Sequence, residues 1–155
     1  MTVRTLAPGD RPALKALLMA EGAFRDDEVA VALELIDEAL AGADSGYWVR
    51  VAELGAEVAG YICYGPTPMT EATYDLYWLV VGAQFRRRGV ARALARAMEG
   101  DLSARGGGSV RVETSDTEGY GAARRLYEAL GYPMACRLAD FYRPGDDLII
   151  YYKRL

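Results

Sequence analysis

The sequence predicts an α/β (α+β) sandwich, one sheet with helices on both faces, and three observations carry that reading. Short runs rich in branched and aromatic residues alternate with segments of helical period. A strand–helix–strand unit spans Tyr74 to Thr114, long enough for a right-handed crossover between parallel neighbours. The other neighbouring strands are joined by links of hairpin length and are expected to be antiparallel. The order is β-α-α-β-β-β-α-β-α-β-β, which makes a mixed, mostly antiparallel sheet of seven strands. At 155 residues, one domain covering 1–155 is expected, large enough to bury a core.

Each element has a local cause. Thr2 to Leu6 reads as a strand stopped by Pro8-Gly9-Asp10. Asp10 is placed to cap a helix running to about Glu21, with Leu14, Leu17 and Leu18 inward, and Gly22 ends it. A second helix starts near Asp26-Asp27 and aligns Val29, Leu33, Ile36 and Leu40 on one face. The acidic stretch from Glu21 to Glu28 reads as a solvated loop or, alternatively, a substrate lid. Tyr47–Glu53 and Glu57–Tyr64 form a hairpin around Leu54-Gly55-Ala56, and Tyr74–Val81 is the next strand. A central helix runs from about Val90 to Ala104, and Gly106-Gly107-Gly108 reads as its C-cap and turn. Ser109–Thr114 is a strand, Thr117–Leu130 a helix closed by Gly131, and Met134–Tyr142 and Leu148–Lys153 are the last two strands.

Composition removes several function classes. The formal net charge of −4 argues against nucleic acid as the principal partner. No apolar run approaches the roughly 20 residues of a membrane span, and none opens the chain as a leader, so a cytoplasmic protein without a membrane partner is expected. The absence of histidine excludes Ser-His-Asp, Cys-His and His-ligated metal schemes. Cys63 and Cys136 are isolated and read as buried thiols, and no metal is expected.

The most informative stretch is Leu79 to Met98, LVVGAQFRRRGVARALARAM. A buried strand turns through Gly82-Ala83-Gln84-Phe85 into Arg86-Arg87-Arg88-Gly89-Val90-Ala91 and then a helix. The first turn of a helix leaves about four N–H groups unpaired at its electropositive end. A glycine there lets an anion approach the backbone, and Arg86, Arg87, Arg88 and Arg92 add charge. The same pattern also describes a plain helix start with solvated arginines.

The spacing of Arg86, Gly89 and Ala91 after Leu79-Val80-Val81 resembles the pyrophosphate signature Q/R-x-x-G-x-G/A of the GNAT superfamily, the acyl-CoA-dependent N-acyltransferases. Ala123-Arg124-Arg125-Leu126-Tyr127-Glu128-Ala129-Leu130-Gly131-Tyr132 resembles that family's A-x-x-L-Y-E-x-L-G-F/Y helix and turn. The resemblance covers the whole chain and implies the GNAT fold, whose parallel pair splays to admit the pantetheine arm of acetyl-CoA. It implies backbone contacts from Leu79, Val80 and Val81 and a pyrophosphate site at Arg86, Arg87, Arg88, Gly89, Val90 and Ala91. The family's helix motif usually opens with Asn seven residues before the tyrosine. Tyr120 stands there instead, so that cofactor contact is lost or is taken over by the phenol.

An amine attacking a thioester must be neutral, and the developing oxyanion and departing thiolate need donors. By resemblance Tyr127 is the general acid, and its ordinary pKa near 10 keeps it protonated at neutral pH. It also shares helical spacing with Tyr120, Ala123 and Leu130, which suits a core residue. Glu113 could take the amine's proton or pair with a neighbouring arginine. Asp75 could do the same or hold a cationic substrate. The acidic and aromatic residues near the expected mouth, Asp75, Tyr74, Tyr77, Glu113 and Tyr142, suit a small cationic or amino-acid-like amine. A peptide amine is also compatible. The expected activity is N-acetyl transfer without a covalent enzyme intermediate, against the alternative of a non-catalytic acyl-CoA sensor. An exposed terminal strand makes a homodimer reasonable.

Overall fold

The computed structural model describes residues 1–22 and 24–155. Among the described residues, seven strands and four α-helices follow the expected order: β1 (Thr2–Thr5), α1 (Arg11–Ala20), α2 (Asp26–Ala41), β2 (Trp48–Leu54), β3 (Glu57–Pro66), β4 (Thr73–Val81), α3 (Val90–Ala104), β5 (Ser109–Ser115), α4 (Gly121–Ala129), β6 (Met134–Arg143) and β7 (Asp146–Arg154). The strands form one sheet in the order β1-β2-β3-β4-β5-β7-β6. The β4–β5 pair is parallel and the remaining pairs are antiparallel.

Each face of the sheet carries its own core. On one, Leu14, Leu17 and Leu18 of α1 and Ala32 and Ile36 of α2 pack on Val49, Val51, Tyr61, Cys63 and Val80. On the other, Val90, Leu94, Met98 and Leu102 place the stripe of α3 on Ile62, Leu76, Val110 and Val112, joined by Tyr127, Ile149 and Tyr151. The four α3 residues recur every fourth position, so one helical face supplies the whole contact. Burying each is worth about 1.5–3 kcal/mol relative to exposure. The expected turn at Gly106-Gly107-Gly108 is present: the Gly107 N–H donates to the Leu102 carbonyl (3.0 Å), and all three glycines have positive φ.

Several local expectations are corrected. Asp10 does not cap α1 through its side chain. Its carboxylate turns back to the Ala7 N–H (2.8 Å) and to Arg4 (2.7 and 2.8 Å), because a 3-10 turn at Pro8–Asp10 intervenes. The helix expected from Thr117 begins as a second 3-10 turn, Glu118–Tyr120, and becomes α-helical at Gly121. Cys63 is buried as expected, whereas Cys136 is exposed. The reason is that Cys136 lies on β6, the edge strand, whose ten residues are all exposed. The segment Glu21–Glu28 contains Ala23, which lies outside the described residues. Glu21 is not freely solvated: its side chain is 20% exposed and reaches Arg86. No described helix is long and apolar enough to cross a membrane.

Candidate functional site

The site begins where β4 and β5 part company. Their parallel pairing runs from Thr73↔Ser109 to Leu76↔Val112 and stops. Beyond it, β4 keeps β3 on one side, from Cys63↔Trp78 to Gly60↔Val81. β5 meanwhile continues against β7, from Glu113↔Ile150 to Ser115↔Leu148. A wedge therefore opens between the two strands. A bulge marks the parting: consecutive partners Cys63 and Tyr64 face Trp78 and Leu76, leaving Tyr77 as the extra residue.

The wall of this wedge is exposed backbone. The Gly82 N–H donates to the Ala59 carbonyl of β3 (3.0 Å). By the period-two alternation of an antiparallel ladder, Val80 also addresses β3. The polar groups of Leu79 and Val81 point the other way, into the gap. An extended chain lying there would meet donors and acceptors at strand spacing. The side chains of Leu79 and Val81 pack towards the α3 core, and Val80 towards the α1–α2 core.

β4 leads directly into the anion-type loop. Arg87 (φ 59) and Gly89 (φ 80) both adopt left-handed backbone, while Arg88 between them does not. Alternating hands turn successive N–H groups toward a common centre, the geometry of an anion-binding nest. α3 follows at Val90 with no side-chain cap at Gly89, and its first intrahelical bond to that cap comes from Ala93 (2.9 Å). The amides of Val90, Ala91 and Arg92 are thus left for a ligand. Among the described residues other than Gly89 and its two chain neighbours, no atom lies within 4 Å of the point where a Cβ on Gly89 would stand, so the approach is open. The side chains of Arg87, Arg88 and Arg92 are exposed. That of Arg86 is turned aside: its Nη2 lies 2.6 Å from both carboxylate oxygens of Glu21.

Tyr127 stands on the same side of the sheet as Leu79, Val81 and Val90, in one apolar cluster with them. It is 5% exposed, and its ring lies 5.7 Å from Tyr151 and 6.0 Å from Tyr132. Burial, and then the nearby Tyr151, push its phenol well above the ordinary value. The group keeps its proton across the neutral range, as a proton donor must, and it is also core.

The other mouth of the wedge is built from side chains. Asp75, expected to face a substrate, is buried, with Arg111 Nε 2.7 Å from one oxygen and the Thr67 hydroxyl 2.9 Å from the other. Arg111 also stands 3.8 Å from Glu113, whose side chain is 46% exposed. Tyr77 is half-buried against Tyr47 (5.3 Å between rings), and burial followed by the Asp75 charge pushes its phenol up to about 12. Tyr120 occupies the N-cap of α4. Its phenol is raised by burial and then by the charges of Glu28 and Asp146, with Arg25 and Arg143 acting against them. Tyr142 is raised by burial and then by Glu113, Asp146 and Tyr120. The β6 backbone delivers it through an irregular stretch between Leu138 and Arg143, where Asp140 has φ 54.

Asp146 was not among the residues expected near the site, and Glu21 and Glu28 entered only as the ends of a stretch read as a solvated loop or a substrate lid. One signal was present: the acidic run Glu21–Glu28 is opposite in sign to the arginine loop. Nothing local in sequence marks Asp146, which accepts a hydrogen bond from the Ser115 hydroxyl (2.5 Å) across 31 residues and another from Arg143 (3.2 Å).

Comparison with known proteins places this geometry in a group. The model of the acetyltransferase (GNAT) family matches residues 12–132. A solved GNAT-family protein from Desulfovibrio desulfuricans superposes with a TM-score of 0.94 at 40% identity, covering 99% of this chain and 98% of that one. The ribosomal-protein-S18-alanine N-acetyltransferase of Escherichia coli superposes at 0.79 with 22% identity, over 99% and 92% of the two chains. An aminoglycoside 6'-N-acetyltransferase complexed with coenzyme A superposes at 0.78 with 19% identity, over 99% and 97%. No protein of curated function matches the sequence.

Proposed function

The chain belongs to the acetyltransferase (GNAT) family, and from that premise we propose that it transfers an acetyl group from acetyl-CoA directly to a primary amine. The observation that carries this reading is the continuity of the wedge with the loop. The outward polar groups of Leu79 and Val81 run into the left-handed turn at Arg87 and Gly89 and the uncapped start of α3. An extended amide chain ending in a pyrophosphate fits that sequence of backbone groups. Acetyl-CoA supplies the acyl carbon activated as a thioester.

The protein's residues then divide the work. An outward N–H of β4 is positioned for the charge that develops on the carbonyl oxygen. Glu113 takes the proton released by the attacking nitrogen, directly or through water. The Tyr127 O–H supplies a proton to the departing sulfur as the C–S bond breaks and the C–N bond forms. The acceptor is a small cationic or amino-acid-like amine, since the half-exposed Glu113 carboxylate stands at the mouth together with the paired rings of Tyr77 and Tyr47. Asp75 acts through Arg111, which it orients next to Glu113. Release of CoA thiol from acetyl-CoA across a panel of amines tests the proposal. Turnover with cationic amines is expected; CoA binding without thiol release on any amine would reject catalysis in favour of sensing.

We also infer a homodimer through the terminal hairpin. β6 is an edge strand exposed along its whole length, with Met134, Leu138, Phe141 and Tyr142 between 45% and 58% exposed. A bare edge is complementary to its own two-fold copy. Sedimentation should show a dimer that Leu138→Glu dissociates, and a monomer at all concentrations would remove the interface.

A further inference from the structure

Of the arginines at 86, 87, 88 and 92, only Arg86 makes an ion pair among the described residues. Its partner belongs to a different part of the chain. Glu21 is the C-terminal cap residue of α1, its own N–H held by the Leu17 carbonyl (3.2 Å). Leu17 in turn packs so closely on the start of the loop that a Cβ on Gly82 would fall 2.8 Å from its Cδ2. Four residues beyond Gly82, Nη2 of Arg86 meets both Glu21 oxygens at 2.6 Å. Past Glu21, the Phe24 ring stands edge-on to Trp78 of β4 at 5.2 Å and 83°. The end of α1 and the approach to α2 are thus tied to the anion-type loop and its strand at three successive points.

A phosphate using Arg86 would have to evict a carboxylate or sit beside one, and like charges at that range repel. The loop does not need it, because its backbone and three unpaired arginines already face solvent. We propose that Arg86 is a strut rather than a phosphate ligand: it holds Glu21, and through it positions the entry of α2, with Phe24 and Glu28, beside the acceptor mouth. The role rests on the acetyl-CoA reading above, since only a ligand in the loop makes the distinction matter.

Glu21→Gln and Arg86→Gln, singly and together, separate the two roles, with Arg86→Lys as the conservative rescue. CoA itself is the calorimetric probe. Amide hydrogen exchange from Phe24 to Glu28 and Trp78 emission report the tie without any ligand. A strut predicts CoA affinity within about twofold of wild type in every variant. It predicts the same faster exchange and the same Trp78 change in both single variants, no further loss in the double, and recovery in Arg86→Lys. A phosphate ligand predicts the opposite: Arg86→Gln weakens CoA roughly tenfold or more, the usual scale of a charge-assisted hydrogen bond. Glu21→Gln, by freeing Arg86, would then tighten it. That pattern overturns the strut while leaving acetyl-CoA binding intact. A wild-type protein with no affinity for CoA would instead sink the functional reading and the strut with it.

Discussion

The two ends of the wedge between β4 and β5 are built by different means. At the loop end the binding groups are backbone: outward amides of Leu79 and Val81, the left-handed turn at Arg87 and Gly89, and the free amides of α3. All come from one contiguous stretch. At the acceptor end the groups are side chains drawn from four distant segments: Glu28 of α2, Tyr77 of β4, Glu113 of β5, and Tyr142 and Asp146 near the β6–β7 turn. A backbone site tolerates changes in its side chains and is sensitive to changes in its dihedral angles. A side-chain site has the reverse sensitivity. This difference fits one end to an invariant handle and the other to a variable acceptor.

The largest expected effect lies where the two ends meet. Tyr127→Phe keeps the ring and its packing but removes the transferable proton. The chemical step should slow about a hundredfold or more, with CoA affinity and thermal stability little changed. Single-turnover rates beside melting curves decide it. A purely structural Tyr127 would instead leave the rate intact and cost about 1 kcal/mol if a buried hydrogen bond is lost. Next, Gly89→Val puts a β-branched residue at φ 80 without any steric obstacle from the protein. Left-handed strain of about 1–3 kcal/mol should distort the nest and weaken CoA roughly tenfold by calorimetry. Undiminished affinity in the folded variant would remove the loop as the phosphate site. Smaller still, Glu113→Gln should raise the acceptor KM or lower kcat several-fold with CoA affinity unchanged, measured by thiol release with the best amine of the panel. An equal loss of CoA affinity would break the division between the ends.

How much was legible in the chain follows from the same division. The loop could be found because Arg86, Gly89 and Ala91 sit within six residues of one another and follow a recognisable strand. Element order was readable because its causes are local: glycine turns, hairpin-length links and the four-residue stripe of α3. At the acceptor end the residue types were legible, since Asp75, Tyr77, Glu113 and Tyr142 were all expected near the mouth, but their arrangement was not: Tyr142 follows an irregular stretch of the edge strand between Leu138 and Arg143 that no local signal marks. Asp75 shows the limit most clearly. Its type and position suggested a substrate contact, but Arg111, 36 residues on, occupies it once the parallel pair forms. The pairing of Glu21 with Arg86, 65 residues apart, was marked only by the opposite sign of the two stretches, which names no partner.

The smallest expected effect concerns both layers at once. Tyr61 in one core and Tyr64, Tyr127 and Tyr132 in the other are buried, and burial is the leading cause that raises each phenol. A folded pKa above the unfolded value of about 10 gives stability that is complete below that pH and lost as pH rises toward the folded values. Melting temperature should therefore hold steady from about pH 7 to 9 and fall above about pH 10. The absorbance of these four phenols should rise together with unfolding, after that of exposed ones such as Tyr152. Free titration of all eleven tyrosines in a folded protein would contradict the burial described.

The bulge at Tyr77 also makes β4 sensitive to length. Leu76 and Leu79 face the α3 core although three positions apart, and the adjacent Tyr77 and Trp78 both face α1 and α2. The extra residue resets inside and outside halfway along the strand. Deleting Tyr77 would restore simple alternation and leave every other residue of β4 on its present face, so the strand would lose the bend at which it parts from β5 and keep its two-layer packing. One residue added beyond the bulge has the opposite outcome, because it throws Leu79 and Val81 to the layer of Tyr77 and Trp78. Natural variants of this chain should therefore lose the extra residue of β4 more readily than they gain a second one.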